Sequence, residues 1–506
     1  MKKLISLLLL VTQFLPAIAV ADTSVLSFTK LWTYKHAVTP GQVGEIPAFD
    51  KRTNTLWVAG IVGVDVIDAD SGLLIEHIDT RAYGSINSVA IYNGLAAFAI
   101  EAVTRTAPGV VVFYDTKTRT LSQGNNPVTV GALPDMLTFT HDGRKLLVAN
   151  EGTPIVYGAR IGTTVPRNYG PAAVDPAGSV SIIDVKTRTV IATAGFAGVP
   201  IVGNNVRTNT GMDFEPEYIT VNEDDTKAYV TLQEANAIGV LDLKENKFTK
   251  VIGLGAKDFS LPGNEIDPLN NGVLPPTFAS HPVKGLYMPD GIAAYELRGK
   301  TYLVMANEGD FREDDGDRLA ANNNTIGATG DLVNLRISNT DSSPGNLFAA
   351  GARSFSIRDE NGNIVYESGS ILDRKAAELG IYDDGRSRDK GVEPEGVALL
   401  EIGRRTYAFI GLERTLKSAV AVFDITEPAK TTYVDMIVTD GDRAPEGLAA
   451  YHYRGEFYLA IANEGTGTTG ADANTTLYRI DRLRPICEPN GRWDDDDRRR
   501  DDRHRR

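Results

Sequence analysis

Cysteine and histidine are scarce in this chain. Its 506 residues include one cysteine, Cys487, and six histidines. A single cysteine cannot form an internal disulfide, so a chain of this length must be stabilised by a large buried core. The sequence also lacks a C-x-x-C pair, a paired-histidine motif, a G-x-S-x-G elbow and a P-loop or dinucleotide fingerprint. A histidine or cysteine zinc site, a serine hydrolase triad and a nucleotide site are therefore disfavoured, and metal chemistry would fall to carboxylates.

Long apolar runs are confined to the N-terminus. Lys2 and Lys3 precede an apolar stretch at residues 4–10, and Ala19-Val20-Ala21 precedes Asp22. This order is typical of a secretory signal peptide, and the stretch is shorter than the roughly 20 apolar residues of a membrane span. We therefore predict a signal peptide at residues 1–21, no membrane span, and an exported protein that is periplasmic or extracellular.

Acidic residues outnumber basic ones. The formal net charge is -14 at pH 7. This charge disfavours nucleic acid or an anionic membrane surface as a partner and suits cations or a cationic ligand.

A hairpin of two short apolar runs recurs along the chain. The clearest copy, DGIAAYELRGKTYLVMANEG, starts at Asp290, turns at residues 297–300 and reaches its exit at Glu308. Seven copies begin near residues 45, 87, 135, 217, 290, 395 and 446. The first six are followed by a third apolar run, at residues 64–67, 110–114, 180–183, 238–241, 332–337 and 420–423. A fourth run closes the unit, and such repeats without intervening helices are typical of a β-propeller.

We therefore predict an all-β fold: a seven-bladed β-propeller of four-stranded antiparallel blades over residues 22–484. The last unit has only three strands, ending at residues 475–480, while a strand at residues 25–34 is unassigned. That N-terminal strand is expected to complete the last blade and close the ring, which removes its sheet edges. A short helix is expected at residues 372–379. Residues 485–506 end in blocks of Asp and Arg and are expected to form a disordered charged tail.

Acids stand at both ends of these hairpins. The first strand of each blade lines the channel of a propeller, so the entrance residues should meet at one face, and the hairpin returns the exit residues to that face. The entrance residues are Glu45, Asn87, Asp135, Glu217, Asp290, Glu395 and Glu446. The exit residues are Glu101, Glu151, Glu234, Glu308, Glu413 and Glu464. The sequence thus predicts two concentric acidic rings.

Carboxylates crowded in this way repel one another unless cations or arginines compensate them. Hard divalent cations take carboxylate oxygens, so a divalent metal, Ca2+ before others, is the predicted cofactor. Asp310 belongs to the same set and opens an acidic loop at residues 310–317 whose spacing misses the EF-hand pattern. Alternatively, each acid accepts backbone hydrogen bonds from the adjoining blade and only pins the two together. The predicted metal ligands are Asp135, Glu151, Glu217, Glu234, Asp290, Glu308, Asp310, Glu395, Glu413, Glu446 and Glu464.

Repeated phrases carry a family resemblance. MPDGIAAY, EPEGVALL and APEGLAAY, together with VMANEGDFRED, VANEG and IANEG, resemble the choice-of-anchor I family of exported bacterial β-propellers over residues 45–480. Members of that family differ in how the C-terminus is attached to the cell. The chain shows no sorting motif, which favours a periplasmic or released protein. Some relatives carry an alkaline phosphatase label, and the P-E-G repeats are similar to those of phytase-like propellers.

Two functions stay open at this point. The first is a monomeric, non-catalytic binding module whose acidic face holds Ca2+ and presents loops to a small-molecule, glycan or protein ligand. The second is a metal-dependent phosphoesterase whose clustered cations neutralise phosphate and activate water. For phosphate clamping the sequence offers Arg312, Arg414, Lys417 and Arg443. Because nothing marks a nucleophile or a base, the binding module is preferred.

Overall fold

The computed structural model describes residues 25–124, 126–154, 176–207, 214–311, 318–322, 326–466 and 472–483. Predictions about the signal peptide, Arg312, most of the acidic loop, Cys487 and the tail lie outside these residues. The chain separates into two compact units, residues 28–480 and residues 1–27 with 481–506. The first unit holds the fold and the site. Of the second, only the strand ends at residues 25–27 and 481–483 are described.

Strands dominate the first half of the chain, where β1 is Val25–Lys35. The first sheet comprises β2 (Pro47–Asp50), β3 (Thr55–Gly60), β4 (Gly63–Asp68) and β5 (Leu74–Asp79). The second comprises β6 (Ser85–Tyr92), β7 (Leu95–Glu101), β8 (Pro108–Asp115), β9 (Thr120–Leu121) and β10 (Val128–Ala132). The third comprises β11 (Pro134–Phe139), β12 (Lys145–Asn150), β13 (Ser179–Asp184) and β14 (Thr189–Ala194). The fourth comprises β15 (Ile201–Asn204), β16 (Pro216–Val221), β17 (Lys227–Leu232), β18 (Ala237–Asp242) and β19 (Lys247–Leu254).

The second half contains the insertions. Two short strands come first, β20 (Ala256–Asp258) and β21 (Val283–Leu286). The fifth blade sheet begins with β22 (Ile292–Leu297) and β23 (Lys300–Asn307), is interrupted by β24 (Arg318–Ala320), β25 (Arg336–Ser338) and β26 (Leu347–Ala349), and resumes with β27 (Ser354–Asp359) and β28 (Ile364–Glu367). Helix α1 (Ile371–Glu378) precedes the sixth sheet, β29 (Pro394–Ile402), β30 (Arg405–Leu412), β31 (Ser418–Asp424) and β32 (Thr432–Thr439). The last sheet holds β33 (Pro445–Tyr453), β34 (Glu456–Asn463) and β35 (Asn474–Leu483).

The first strands of seven sheets form a closed ring. β2, β6, β11, β16, β22, β29 and β33 each contact the next, and β33 contacts β2. The fold is therefore a β-propeller, as predicted. The described residues form eight sheets rather than seven, because β20, β21, β26, β25 and β24 make an additional sheet from the insertions.

Apolar side chains fill the space between consecutive sheets. Trp57 of the first sheet packs with Phe98 and Tyr114 of the second, and Trp57 and Phe98 are fully buried. Between the fifth and sixth sheets, Leu372 and Ala376 of α1 join the same kind of core. Each sheet thus buries its faces only against its neighbours, which explains why the repeats depend on one another.

The N-terminal strand completes the last sheet. The strand order β1-β35-β34-β33 joins the two ends of the repeat region, which confirms the predicted closure. A buried polar cluster reinforces it: Asp65 of β4 contacts His36 Nδ1 and His77 Nδ1, both at 2.7 Å. His36 Nε2 lies 2.8 Å from Thr475 Oγ1 of β35. Burial alone would raise the pKa of Asp65, but hydrogen bonds from the two imidazoles hold that pKa below its ordinary value.

One strand assignment was wrong. Residues 332–337 were expected to be the third strand of the fifth blade, but β27 occupies that place and pairs with β23. Leu335 and Ile337 are buried instead in the core of the additional sheet. β27 reads SFSIRD, and its two buried serines weaken the apolar pattern by which such a strand is recognised.

The P-E-G phrase marks a close approach between neighbouring first strands. A Cβ at Gly396 would lie 2.3 Å from the carbonyl oxygen of Glu446, and a Cβ at Gly447 would lie 2.4 Å from that of Glu45. The carbonyl of Glu45 also accepts a hydrogen bond from the N–H of Gly447 at 2.9 Å. Only glycine fits such a contact between two backbones.

We therefore expect Gly396→Ala to destabilise the protein by roughly 1–3 kcal/mol, because β29 and β33 would have to move apart. Chemical denaturation monitored by fluorescence measures the decrease in the free energy of unfolding. Gly195→Ala is the control, since a Cβ there would have no heavy atom within 4 Å. Equal stability of the two variants would contradict the close-approach argument.

Candidate functional site

The entrance acids lie where the first strands are irregular. The pairing of first and second strands shifts register just after a proline, between Pro394 and Val397 in the sixth sheet. β-Bulges of this kind redirect a side chain away from the regular alternation of the strand. The same shift follows Pro134, Pro216 and Pro445, so it encloses Asp135, Glu217, Glu395 and Glu446.

A strained residue precedes three of these prolines, and another precedes Pro289. Leu133, Met288, Glu393 and Ala444 have positive φ angles of 47, 44, 51 and 51°. Such angles are uncommon outside glycine and cost on the order of 1–3 kcal/mol each, so the surrounding structure must enforce them. The carbonyl groups of three of them accept a hydrogen bond from the N–H of an exit acid. These bonds are Glu151 N to Leu133 O, Glu413 N to Glu393 O and Glu464 N to Ala444 O, each 2.9 Å.

A cavity of about 420 Å³ opens among the first strands. All seven entrance residues line it: Glu45, Asn87, Asp135, Glu217, Asp290, Glu395 and Glu446. Three exit acids and Asp310 join them, namely Glu308, Glu413 and Glu464 with Asp310. Glu101, Glu151 and Glu234 are not among the described lining residues. The structure thus brings all seven entrance residues and three of the six exit acids to a single cavity.

Within the described part of the chain, three sets of carboxylates have ligand atoms within 4.8 Å of one another. The sets are Asp290–Glu308–Glu395, Glu308–Glu393–Glu413 and Glu395–Glu413–Glu446. In the described part of the chain, the buried Oε2 atom of Glu395 has no hydrogen-bond partner. A buried carboxylate oxygen without a partner is unfavourable, so a cation held between these sets would remove that penalty.

Burial and mutual repulsion raise the pKa values of many of these carboxyls above the ordinary range. Desolvation by burial raises the pKa of Glu217, Asp290, Glu395 and Glu446 well above the usual value, and neighbouring carboxylates raise it further. Burial and Glu101 raise the pKa of Asp135 to about 6. Burial raises the pKa of Glu413 to about 8, although Arg414 opposes the shift.

Lys390 neutralises one side of the cavity. Its Nζ donates to Glu308 Oε1 at 2.6 Å and lies 2.8 Å from Glu393 Oε2 and 3.1 Å from Asp310 Oδ1. Burial would raise the pKa of Asp310, but Lys390 brings it below the ordinary value. Arg414 pairs with Glu413 at 2.5 Å.

Sequence reasoning missed Lys390 and Glu393. Glu393 stands two residues before Glu395 in the phrase VEPEG, so the doubled acid was visible there. Lys390 ends an insertion, and only the tertiary structure brings it to Glu308.

Backbone contacts, not these carboxylates, join neighbouring first strands. Among the described residues, no backbone amide donates a hydrogen bond to the side chain of Asp135, Glu217 or Glu446. The contact between Gly447 N and Glu45 O is made by main-chain atoms alone. Asn87, the one entrance residue that is not an acid, does make such a contact, because its Nδ2 donates to the carbonyl oxygen of Pro134 at 3.1 Å.

The fold and the acidic cavity define a β-propeller with a carboxylate-lined channel. The choice-of-anchor I domain matches residues 45–428, and the chain belongs to that family. This membership indicates an exported protein. No curated protein sequence matches the chain. None of the described helices is long and apolar enough to cross a membrane.

Several solved structures are similar in outline. Hydrazine synthase from Kuenenia stuttgartiensis is 11% identical, with 89% of this chain and 97% of that chain covered and a TM-score of 0.48. The Cps50 (Swd1) β-propeller domain from Myceliophteria thermophila is 8% identical, with 89% of this chain and 99% of that domain covered and a TM-score of 0.45. A chain of the mitotic checkpoint complex is 11% identical, with 94% and 98% covered and a TM-score of 0.46.

The raised pKa values predict how stability depends on pH. A carboxyl with a raised pKa keeps its proton in the folded state after the unfolded chain has lost it, so stability falls as pH rises between the two values. Ordinary carboxyl pKa values are near 4, and those of Asp135 and Glu413 are about 6 and about 8. With chelator present, we expect the melting temperature to fall by about 3 °C or more between pH 5 and pH 8.

Calorimetry in matched buffers measures the slope of melting temperature against pH. Glu413→Gln should flatten it, because glutamine does not titrate, whereas Glu223→Gln, at an exposed turn, should leave it unchanged. A melting temperature that rises over this range would contradict the expected protonation.

Proposed function

We propose that this exported propeller is a binding module that holds a divalent cation, Ca2+ before others, in its acidic channel. The observation that carries the proposal is the convergence of the three carboxylate sets, which share Glu308, Glu395 and Glu413. Ca2+ takes six to eight oxygen ligands in flexible geometries, and this cavity offers carboxylate oxygens from several strands. Glu395 joins two of these sets, Asp290–Glu308–Glu395 and Glu395–Glu413–Glu446, and is therefore the expected centre of the binding position.

The open face around the channel presents loops to a further ligand. A bound cation would neutralise part of the acidic ring and leave coordination positions for an oxygen-bearing small molecule, glycan or protein side chain. The protein works as a monomer in the periplasm or outside the cell.

The cationic side chains near the channel favour binding over phosphate ester hydrolysis. A phosphoesterase would use lysine and arginine side chains to hold phosphate, in addition to metal. Lys390 is paired with Glu308, Arg414 with Glu413, and Lys417 with Asp440. Each of these three cationic side chains therefore already has a carboxylate partner.

Calorimetric unfolding with and without Ca2+ tests the proposal. A ligand that binds only the folded state adds about 2.7 kcal/mol at 100 times its Kd, so Ca2+ should raise the melting temperature over that in chelator. Glu395→Gln should abolish most of this gain, because Glu395 belongs to two sets and, unlike Glu308 and Glu413, forms no ion pair among the described residues. Glu223→Gln should keep it. If Ca2+, Mn2+ and Zn2+ all leave the wild-type melting temperature unchanged, the proposal is wrong.

An assay with p-nitrophenyl phosphate separates binding from hydrolysis. We expect no Ca2+-dependent release of p-nitrophenol above the rate of the Glu395→Gln variant. Metal-dependent turnover that Glu395→Gln removes would instead establish a phosphoesterase.

A further inference from the structure

A second cavity, of about 640 Å³, is separate from the acidic channel. It is formed by residues 274–278 of the insertion between the fourth and fifth blade sheets, by helix α1 and by the turn that follows the helix. No described residue lines both this cavity and the channel. Small-molecule sites in proteins usually enclose about 300–1,000 Å³ and have mostly apolar walls. The cavity has this size, and the apolar part of its wall comprises Leu274, Pro275, Pro276, Phe278, Ala377 and Tyr382.

Contacts within the wall fix the shape of this cavity. The rings of Phe278 and Tyr382 meet edge to face, with their centroids 5.9 Å apart. Tyr382 is buried, and its hydroxyl lies 3.0 Å from Ser387 Oγ. The N–H of Gly272 donates a hydrogen bond to Asp384 Oδ2 at 2.7 Å, which joins the insertion to the turn after α1. The two sides of the cavity are therefore connected before any ligand binds, so binding requires little further ordering.

Large apolar side chains on the same segments are exposed to solvent. Leu274 lines the cavity and is 60% exposed, and Val273 beside it is 51% exposed. On the α1 side, Leu379 stands between the lining residues Glu378 and Gly380 and is also 51% exposed. Exposed apolar groups around a cavity are typical of a binding site. A ligand with an apolar body would remove part of this surface from water, which is favourable.

Arg374 supplies a polar group at this apolar wall. It lines the cavity, and its Cζ lies 5.0 Å from the centroid of the Phe278 ring. Its Nε donates to Ser370 Oγ at 2.9 Å and its Nη2 to Glu265 Oε2 at 3.0 Å, so the guanidinium has a fixed orientation. Among the described residues, Nη1 has no hydrogen-bond partner. The two N–H donors of Nη1 are therefore left for an oxygen acceptor on a ligand.

The charges at this cavity balance one another. Glu378 also lines the cavity, but Lys375 Nζ donates to its Oε2 at 2.7 Å. Arg374 and Lys375 thus offset Glu265 and Glu378, although the whole chain carries a formal net charge of -14. An anion therefore meets less repulsion here than at the acidic channel, and it finds N–H donors without a partner.

We propose that this cavity is a second binding site and that it takes a small aromatic anion. The ring system of the ligand packs against Leu274 and Phe278, and its acid group accepts hydrogen bonds from Arg374 Nη1. Aromatic ligands are preferred because Phe278 and Tyr382 offer ring faces and edges for stacked or edge-to-face contacts. The site goes beyond the cation-binding function, since the two cavities have separate linings.

Titration of the exported protein with anilinonaphthalene sulfonate tests the proposal. This probe is an aromatic anion whose fluorescence rises in apolar surroundings. We expect saturable binding at one site per chain. Naphthoate should displace the probe, whereas naphthylmethylamine, a cation with the same ring system, should not. Absence of saturable binding, or equal displacement by the amine, would overturn the inference.

Variants of the wall locate the bound probe. Arg374→Gln should weaken probe binding at least about tenfold, because it removes the charge and the donors of Nη1. Leu274→Asp should also weaken binding, because it places a carboxylate in the apolar wall. Since Leu274 is exposed, this variant keeps the test valid if Arg374→Gln does not fold. Leu73→Asp, at a leucine that is 69% exposed before β5, is the matched control and should bind the probe as the wild type does. Wild-type affinity in Leu274→Asp would contradict the assignment.

A second copy of the chain is the competing occupant of this cavity. Sedimentation velocity distinguishes the two, and we expect a monomer with and without the probe. A dimer that Leu274→Asp dissociates would show that the cavity is a self-association surface, and the inference would then be wrong.

Discussion

Closure of the ring of first strands is the constraint on which the site depends. Each first strand contacts two others, and β33 meets β2, so the entrance of every strand points into one channel. In three of the strands the approach is so close that a glycine follows the entrance acid, at Gly291, Gly396 and Gly447. Residues far apart in sequence, from Glu45 to Glu446, are thereby forced into one cavity of about 420 Å³. Their mutual repulsion is a direct consequence of the closed ring.

The structure answers this repulsion unevenly. Lys390 pairs with Glu308, Arg386 with Glu393 and Arg414 with Glu413. Asp290, Glu395 and Glu446 form no such ion pair among the described residues, and burial and neighbouring carboxylates raise their pKa values well above the usual range. Burial raises the pKa values of Glu308 and Glu413 as well, although their cationic partners oppose the shift. A proton and a metal ion would compete for the same carboxylate oxygens. Stability and binding are linked through this competition.

Strain at the prolines connects the fold to the site. Residues such as Glu393 and Ala444 adopt positive φ angles so that their carbonyls meet the N–H groups of Glu413 and Glu464. These bonds hold entrance and exit acids side by side. The backbone strain is thus balanced by hydrogen bonds at the point where the carboxylates converge.

The sequence by itself determined the repeated hairpins, the acids at their ends, the closing N-terminal strand and helix α1. It could do so because strand periodicity, tight turns and helix patterns are local properties. Only the tertiary structure decided that residues 336–338 belong to an additional sheet and that Lys390 lies against Glu308. The reason is physical. An apolar run such as Leu335 to Ile337 can be buried in either of two cores, and the local sequence does not distinguish them. The position of Lys390 is set by the packing of a long insertion, which has no periodic sequence pattern.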